Sequence, residues 1–156
     1  MDDEAHLLDK YKQALQGISV SHAWRGHGSA IFLEFGKLTP KLREDGTTGN
    51  PDGELSLMIE WSWRIEEADY IACGSSSEEK VWRPWLAKLI GKVVLDVTLF
   101  GRLPELMLTL TDDLYLSSFM TAEGHPEWAL IDHRNGGLPA LVSLHGRIGS
   151  EDELSP

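Results

Sequence analysis

Histidines are the side chains of this chain best suited to acid–base chemistry near neutral pH, because imidazole titrates there. His22 follows Val20 at strand spacing, His27 lies in the turn RGHGSA, and His125 lies in the segment TAEGHPEW. Alternation places His22 on the inner, apolar side of its strand, where a buried imidazole must find a partner. His22 is either a ligand or general base, or a neutral core residue bonded to backbone or carboxylate, and its convergence with His27 and His125 depends on the tertiary structure. We favour the second role.

Trp61 and Trp63 are a second candidate, because an indole ring can stack on a ligand. They share one side of the segment LSLMIEWSWRIE with Leu57, Ile59 and Ile65. An apolar face of this extent needs burial whether or not a ligand meets it. We therefore expect both indoles in the core, and a cleft that exposes one of them is the alternative.

Signatures of metal, phosphate and nucleophile chemistry are missing from the sequence. It has no HExxH motif, no paired cysteine ligands, no EF-hand loop and no GxSxG elbow. The turn RGHGSA lacks the spacing of a P-loop or a Rossmann fingerprint. Cys73 ends a short strand, where a small thiol packs inertly. We expect no metal ion, no cofactor and no assignable catalytic residue.

Acidic residues dominate the charge, with 25 Asp and Glu against 14 Lys and Arg, a formal net charge of −11. This balance opposes phosphate binding, so we expect no nucleic-acid partner. Glu34 and Glu60 lie opposite the apolar rows of their strands, and Phe32 and Met58 share that side. An apolar centre with a charged rim is typical of a modest protein-binding patch. A basic protein is the expected partner.

Cellular location is indicated by the thiol count and by hydropathy. One cysteine cannot form an internal disulfide, which fits a reducing compartment. The segment MDDEAHLLDK is acidic where a secretory signal would be basic, and no uncharged stretch of about 18 apolar residues occurs. We expect a cytoplasmic protein that does not span a membrane.

Apolar periodicity predicts the elements that position these residues. A helix is expected over 3–16 and strands near 18–25 and 31–35. Residues 38–53, rich in Gly, Pro, Thr and charge, predict an exposed, mobile loop. Unbroken alternation predicts one long strand over 54–65. The second part is predicted to contain a strand at 70–73, a helix whose regular part begins at Pro84, and strands near 93–99, 106–110, 114–121 and 127–132.

The order helix-β-β-β-β occurs twice, in residues 3–74 and 78–132, which predicts an internal duplication. Short glycine-containing turns favour antiparallel pairing. We predict a single α+β domain over 1–156, built as a mostly antiparallel sandwich or open barrel with two helices outside. Residues 147–156 are expected to form a flexible tail.

The segments GSAIFLEFG, LSLMIEWSWRIE, LFGRLPEL, SFMTAEG and PEWAL resemble those of small bacterial cytoplasmic proteins of unknown function with two related β-rich halves. The resemblance covers residues 17–132 and implies a fold, but no activity. Size, charge and architecture are also similar to those of immunity proteins that neutralise toxins.

Two functions follow from these patterns. The first is a noncatalytic domain, with an immunity or accessory role, that binds a basic protein through its acidic sheet face. The second is a small-ligand protein or hydrolase with a cleft between the halves, using His22 with His27 or His125 and an indole of Trp61 or Trp63. A homodimer is a third alternative.

Overall fold

The computed structural model describes the backbone of residues 2–154 and the side chains of residues 5–154. The described helices are α1 (Asp2–Leu15), α2 (Glu79–Leu89) and α3 (Glu151–Leu154). The described strands are β1 (Val20–Arg25), β2 (Ile31–Phe35), β3 (Leu55–Ile59), β4 (Trp63–Glu66), β5 (Ile71–Gly74), β6 (Val94–Phe100), β7 (Glu105–Leu110), β8 (Leu114–Ser118), β9 (Trp128–Asp132), β10 (Leu141–Leu144) and β11 (Arg147–Ser150).

The strands form two sheets, and neither closes into a barrel within residues 2–154. A six-stranded sheet has the order β1-β2-β3-β9-β10-β11, and a five-stranded sheet has the order β5-β4-β8-β7-β6. Each neighbouring pair of strands is antiparallel. The predicted α+β class with antiparallel pairing is therefore confirmed.

One hydrophobic core joins both sheets to the two long helices. Its members include Leu33 and Leu57 from the six-stranded sheet, and Leu108 and Leu116 from the five-stranded sheet, all fully buried. The helices contribute buried side chains to the same core: Leu7, Tyr11 and Leu15 from α1, and Leu86 and Leu89 from α2. Burial of these apolar groups is the main favourable term in folding.

The prediction of one long strand over 54–65 is wrong, because the segment forms two strands. β3 ends at Ile59 in the six-stranded sheet, and β4 begins at Trp63 in the five-stranded sheet. The chain bends between them and crosses from one sheet to the other. Apolar alternation continues through the bend because both strands face the same core. The sequence pattern therefore does not show where the first strand ends.

The two sheets meet at a reciprocal pair of backbone hydrogen bonds. The N–H of Gly17 donates to the carbonyl of Val94 at 2.9 Å, and the N–H of Gly91 donates to the carbonyl of Val20 at 2.8 Å. Both glycines follow a long helix and have positive φ, +86° for Gly17 and +93° for Gly91. Only glycine adopts that conformation without strain.

Two buried tryptophans make matching contacts in the two sheets. Trp63 begins β4, and its indole N–H donates to the carbonyl of Ser29, ahead of β2, at 2.6 Å. Trp128 begins β9, and its indole N–H donates to the carbonyl of Pro104, ahead of β7, at 3.0 Å. Each indole thus links the first strand after the chain has changed sheets, β4 or β9, to the segment that precedes an earlier strand, β2 or β7.

The second helix begins earlier than predicted. The sequence predicts that its regular part begins at Pro84, but α2 starts at Glu79 and continues through Pro84. The missing amide hydrogen of proline removes one helical hydrogen bond, while Leu86 and Leu89 bury their side chains in the core. The packing of those leucines offsets that loss.

The segments predicted to be mobile contain defined pairings. Residues 38–53 carry the bridges Thr39↔Asp52 and Leu42↔Thr48. The segment predicted as a tail contributes β11 and α3. The mobility of both segments stays a prediction.

Candidate functional site

A β-bulge near the start of β1 turns His22 outward. The register with β2 shifts between Val20 and His22, after which His22 pairs with Glu34 and Ala23 pairs with Leu33. Leu33 is in the core, so Ala23 faces inward while His22 and Glu34 face away from the core. The predicted inward orientation of His22 is wrong, because one extra residue exchanges the two faces of a strand.

The outer face of the six-stranded sheet carries a continuous line of apolar side chains. Trp24 pairs with Phe32, which pairs with Met58, and Ala129 and Val142 continue the line on β9 and β10. We call these five residues the apolar row. Trp24 and Phe32 stack with their ring centroids 4.1 Å apart and their planes 7° apart. Most of the row is partly exposed, so it forms an apolar surface outside the core.

Carboxylates lie along the apolar row. Glu60 and Glu151 are exposed, and Glu127 is partly exposed. Within the described residues, neither Glu60 nor Glu151 takes part in an ion pair, whereas Oε1 of Glu127 lies 2.9 Å from His125 Nε2. We call these three glutamates the acidic rim. A groove of about 220 Å³ lies between rim and row, and its lining includes Met58, Ala129, Val142, Leu144, Glu127 and Glu151.

Glu34 lies on the outer face but is not on the surface, because it is only 2% exposed. Its Oε1 atom accepts a hydrogen bond from the N–H of Gly53 at 3.0 Å and a second from the Ser56 hydroxyl. The hydroxyl oxygen of Ser56 also lies 2.8 Å from His133 Nε2. Glu34, Asp52 and His133 each place one potential ligand atom within 4.8 Å of the others.

Ser56 and His133 do not form a nucleophile–base pair of the serine hydrolase kind. In such a triad the carboxylate orients the imidazole, whereas here the carboxylate of Glu34 accepts from the serine hydroxyl itself. Ser56 is also only 4% exposed, which denies a substrate access to its hydroxyl. The arrangement therefore gives no support to nucleophilic catalysis at this serine.

His133 is held in place by the residue before it. The buried carboxylate of Asp132 accepts from the N–H of Arg134 at 3.0 Å, from its guanidinium, and from the N–H of Leu138 at 2.9 Å. The hydrogen bonds from the Arg134 side chain lower the pKa of Asp132 to about 2. This closed turn fixes the chain at His133, whose own N–H donates to the carbonyl of Glu54 at 2.9 Å.

The histidines predicted to form a site do not come together. His22 Nε2 lies 2.9 Å from Oδ1 of Asn50, and His27 is exposed in the turn after β1. The ring of His125 instead packs beside His145, with centroids 4.4 Å apart, in the turn between β10 and β11. The segment of His125 leads into β9, which is three strand spacings from β1, about 14 Å at ~4.8 Å each.

Trp61 and Trp63 have different environments, although the sequence predicts the core for both. Trp63 is 2% exposed and belongs to the core. Trp61 lies in the bend between β3 and β4 and is partly exposed, so its predicted burial is wrong. Glu60, the other carboxylate selected from the sequence, is exposed beside the apolar row, as predicted.

A second groove, of about 430 Å³, lies between β1 and α2. The guanidinium of Arg25 lies 4.7 Å from the ring centroid of Trp82, and that of Arg83 lies 5.3 Å from the same centroid. His22 and Trp24 line the same groove from β1. Its surface combines cationic and aromatic groups, which is the opposite electrostatic character to that of the acidic rim.

Comparison with known proteins finds no matching family model, no matching curated protein and no matching solved structure. The described helices include none with the length and apolar character needed to cross a membrane.

The sequence does not predict the cluster around Glu34, because its members come from separate segments without a motif. Glu34 and Ser56 lie on neighbouring strands, whereas Asp52 and His133 lie in the connecting segments. One signal was available, since alternation places Glu34 and Ser56 on the same side of adjacent strands. The contribution of Asp52 and His133 depends on how the loops return to the sheet.

Proposed function

We propose that this chain is a noncatalytic protein-binding domain whose binding surface is the apolar row together with the acidic rim. The observation that supports the proposal is an apolar line across five strands with three carboxylates beside it. Interfaces of modest size have this composition, an apolar centre within a polar surround. The predicted emergence of Phe32 and Met58 on the outer face is part of this support.

The groove beside the rim fits the side chain of a lysine or arginine. Such a side chain packs its aliphatic stem on apolar surface while its charged end stays polar. Here the stem would lie against Met58 and Val142, and the cation would lie near Glu127 and Glu151. A basic partner is also favoured over long range by the net charge of −11, which accelerates its approach.

Glu34 contributes to this surface differently from what its sequence position indicates. We predicted an exposed carboxylate, but Glu34 is buried and hydrogen-bonded, so it offers no charge to a partner. Recognition of a cation therefore falls on Glu60, Glu127 and Glu151. A reversal of charge at Glu34 would perturb folding and binding together.

The concrete role that we propose is that of a bacterial immunity or accessory protein acting in the cytoplasm. Support comes from the size, the acidic charge and the architecture of the chain, which are similar to those of immunity proteins. We also infer an internal duplication. Two observations support it. The strands of the two sheets correspond position by position, β1-β2-β3-β9-β10 in one and β6-β7-β8-β4-β5 in the other, so each sheet takes its first three strands from one half of the chain and its next two from the other. The reciprocal hydrogen bonds of Gly17 and Gly91 also relate the two halves.

A second candidate function is the binding of a small anionic ligand in the groove between β1 and α2. Arg25 and Trp82 favour it, because a guanidinium beside an indole can hold a ligand that is both aromatic and anionic. The groove also lies at the junction of the two proposed halves. The separation of His22 from His125 removes the histidine pair on which a hydrolase there was predicted to depend.

Capture from a lysate of the native host tests the leading proposal. The bait is the full chain, compared with a triple variant that changes Glu60, Glu127 and Glu151 to lysine. The matched control carries the same change in charge away from the sheet face, at Asp9, Glu44 and Glu78, all of which are exposed. We expect a basic protein to be recovered by wild type and control and lost by the rim variant. Equal recovery by the rim variant would contradict the proposal.

A further inference from the structure

Glu34 is a buried carboxylate that has no ion-pair partner in the part of the chain that the structure describes. It is 2% exposed, and its hydrogen-bond donors are a backbone N–H and a hydroxyl, both directed at Oε1. Within residues 5–154, no lysine, arginine or histidine forms an ion pair with it. Burial of an unpaired charge is costly, so this position favours a bound cation.

Two further potential ligands face the same point. A carboxylate oxygen of Asp52 and a ring nitrogen of His133 lie within 4.8 Å of each other and of a carboxylate oxygen of Glu34. Lys41 approaches Asp52 at 3.7 Å, but its side chain is 62% exposed and leaves Glu34 unpaired. Two neighbouring carboxylates repel each other unless a cation or a proton is shared between them.

We propose that Glu34, Asp52 and His133 bind a Zn²⁺ ion. Carboxylate oxygen and imidazole nitrogen are both zinc ligands, at about 2.0–2.2 Å from the metal. In a tetrahedral site such ligand atoms lie roughly 3.3–3.6 Å apart, so a pair at the full 4.8 Å separation would approach by about 1.2–1.5 Å on binding the ion. Three protein ligands leave the fourth position for water or for the hydroxyl of Ser56.

The surroundings have the features that a metal site needs. Glu34 lies within β2, whereas Asp52 and His133 lie in connecting segments whose backbone is hydrogen-bonded, so rotation of their side chains would bring the ligand atoms together. His133 is exposed and Asp52 partly exposed, which gives the ion a path from solvent. The carboxylate of Asp132 holds the turn that carries His133, as outer hydrogen bonds commonly do for metal ligands.

Titration of the purified full chain with Zn²⁺ alone, followed by calorimetry, tests this site. Co²⁺ is a spectroscopic substitute, because its visible absorption reports the ligands directly. We expect one ion per chain, and at least tenfold weaker binding after His133→Ala or Asp52→Asn. His133 is exposed, so its substitution leaves the core intact. Glu34→Gln is expected to have the same effect, with circular dichroism as the check on folding.

The control is His125→Ala, which removes one member of a pair of histidines, His125 and His145, whose rings are in contact. Zinc binding retained by this variant and lost by His133→Ala would support the site. The reverse pattern would place the ion at the His125–His145 pair and overturn the proposal. Absence of zinc binding by the wild-type chain, or equal binding by His133→Ala, would also overturn it.

Discussion

Trp24 and Phe32 stack across neighbouring strands, with their centroids 4.1 Å apart and their planes 7° apart, on the side of the sheet that faces away from the core. The β-bulge between Val20 and His22 sets this arrangement, because without it Trp24 would point inward. The bulge therefore transfers an aromatic side chain from the core to the outer face. This transfer extends the apolar row to the edge strand.

Phe32 and Phe35, on the same strand, are expected to differ in their contribution to stability. Phe35 is fully buried in the core, whereas Phe32 is partly exposed on the outer face. We expect Phe35→Ala to lower the free energy of unfolding by about 3–5 kcal/mol and Phe32→Ala by about 1–2 kcal/mol. Urea unfolding measures both. Equal losses would mean that the apolar row is structural and would weaken the binding proposal.

Trp63 and Trp128 are expected to respond alike to loss of the indole N–H. Each donates to a backbone carbonyl while its ring fills the core. Replacement by phenylalanine keeps an aromatic ring, loses the donor and leaves a small void. We expect each variant to lose about 1–3 kcal/mol of unfolding free energy. Denaturant unfolding of both variants checks this, and a large loss in one with none in the other would argue against equivalent positions.

Asp132 is expected to contribute to the stability of the fold in a pH-dependent way. Its pKa falls from the usual 3.8 to about 2 through its hydrogen bonds with Arg134. A lowered folded-state pKa adds stability above about pH 4, and this stability is lost as the pH falls towards 2. The contribution is of the order of 2 kcal/mol at neutral pH.

Unfolding of wild type and Asp132→Asn between pH 2 and pH 7 measures this contribution. The difference in unfolding free energy should be greatest above pH 4 and should shrink towards pH 2. Asp9→Asn, at an exposed position on α1, is the control and should show no such trend. A difference between wild type and Asp132→Asn that stays constant down to pH 2 would contradict the assignment.

Cys73 is expected to be unreactive while the protein is folded. The residue is only 3% exposed, and burial raises the pKa of its thiol to about 11. The thiolate is the reactive form, so little of it exists at pH 8. We expect alkylation by iodoacetamide at that pH to be at least about tenfold slower in buffer than in urea. Rapid labelling of the folded protein would show that β5 opens readily.

Much of the fold could be predicted from the sequence, because one-sided burial leaves a clear periodicity. The first helix and the inward positions Leu33, Leu57 and Leu108 follow directly from that pattern. Two local irregularities could not be predicted. The bulge near His22 and the bend at Trp61 change the direction of side chains or the choice of sheet without interrupting the alternation of residue types.

The candidate sites were less accessible to sequence reasoning than the fold. Phe32, Met58 and Glu60 could be predicted to lie on the outer face, because the alternation of residue types along a strand is enough to determine which face a residue is on. Glu34 was placed there too, but its burial depends on residues 50–53 returning to the sheet, as the hydrogen bond from Gly53 shows. Contacts of this kind join residues that are distant in the chain, and no local pattern encodes them.

The most direct test of the binding surface compares Met58→Arg with Met107→Arg, using the purified basic protein recovered from the host. Both methionines are partly exposed on the outer side of a sheet, Met58 in the apolar row and Met107 on β7 of the five-stranded sheet. The dissociation constant of each variant is measured by calorimetry. We predict at least tenfold weaker binding for Met58→Arg and unchanged binding for Met107→Arg. Unchanged binding by Met58→Arg, or loss only with Met107→Arg, would contradict the assignment of the surface.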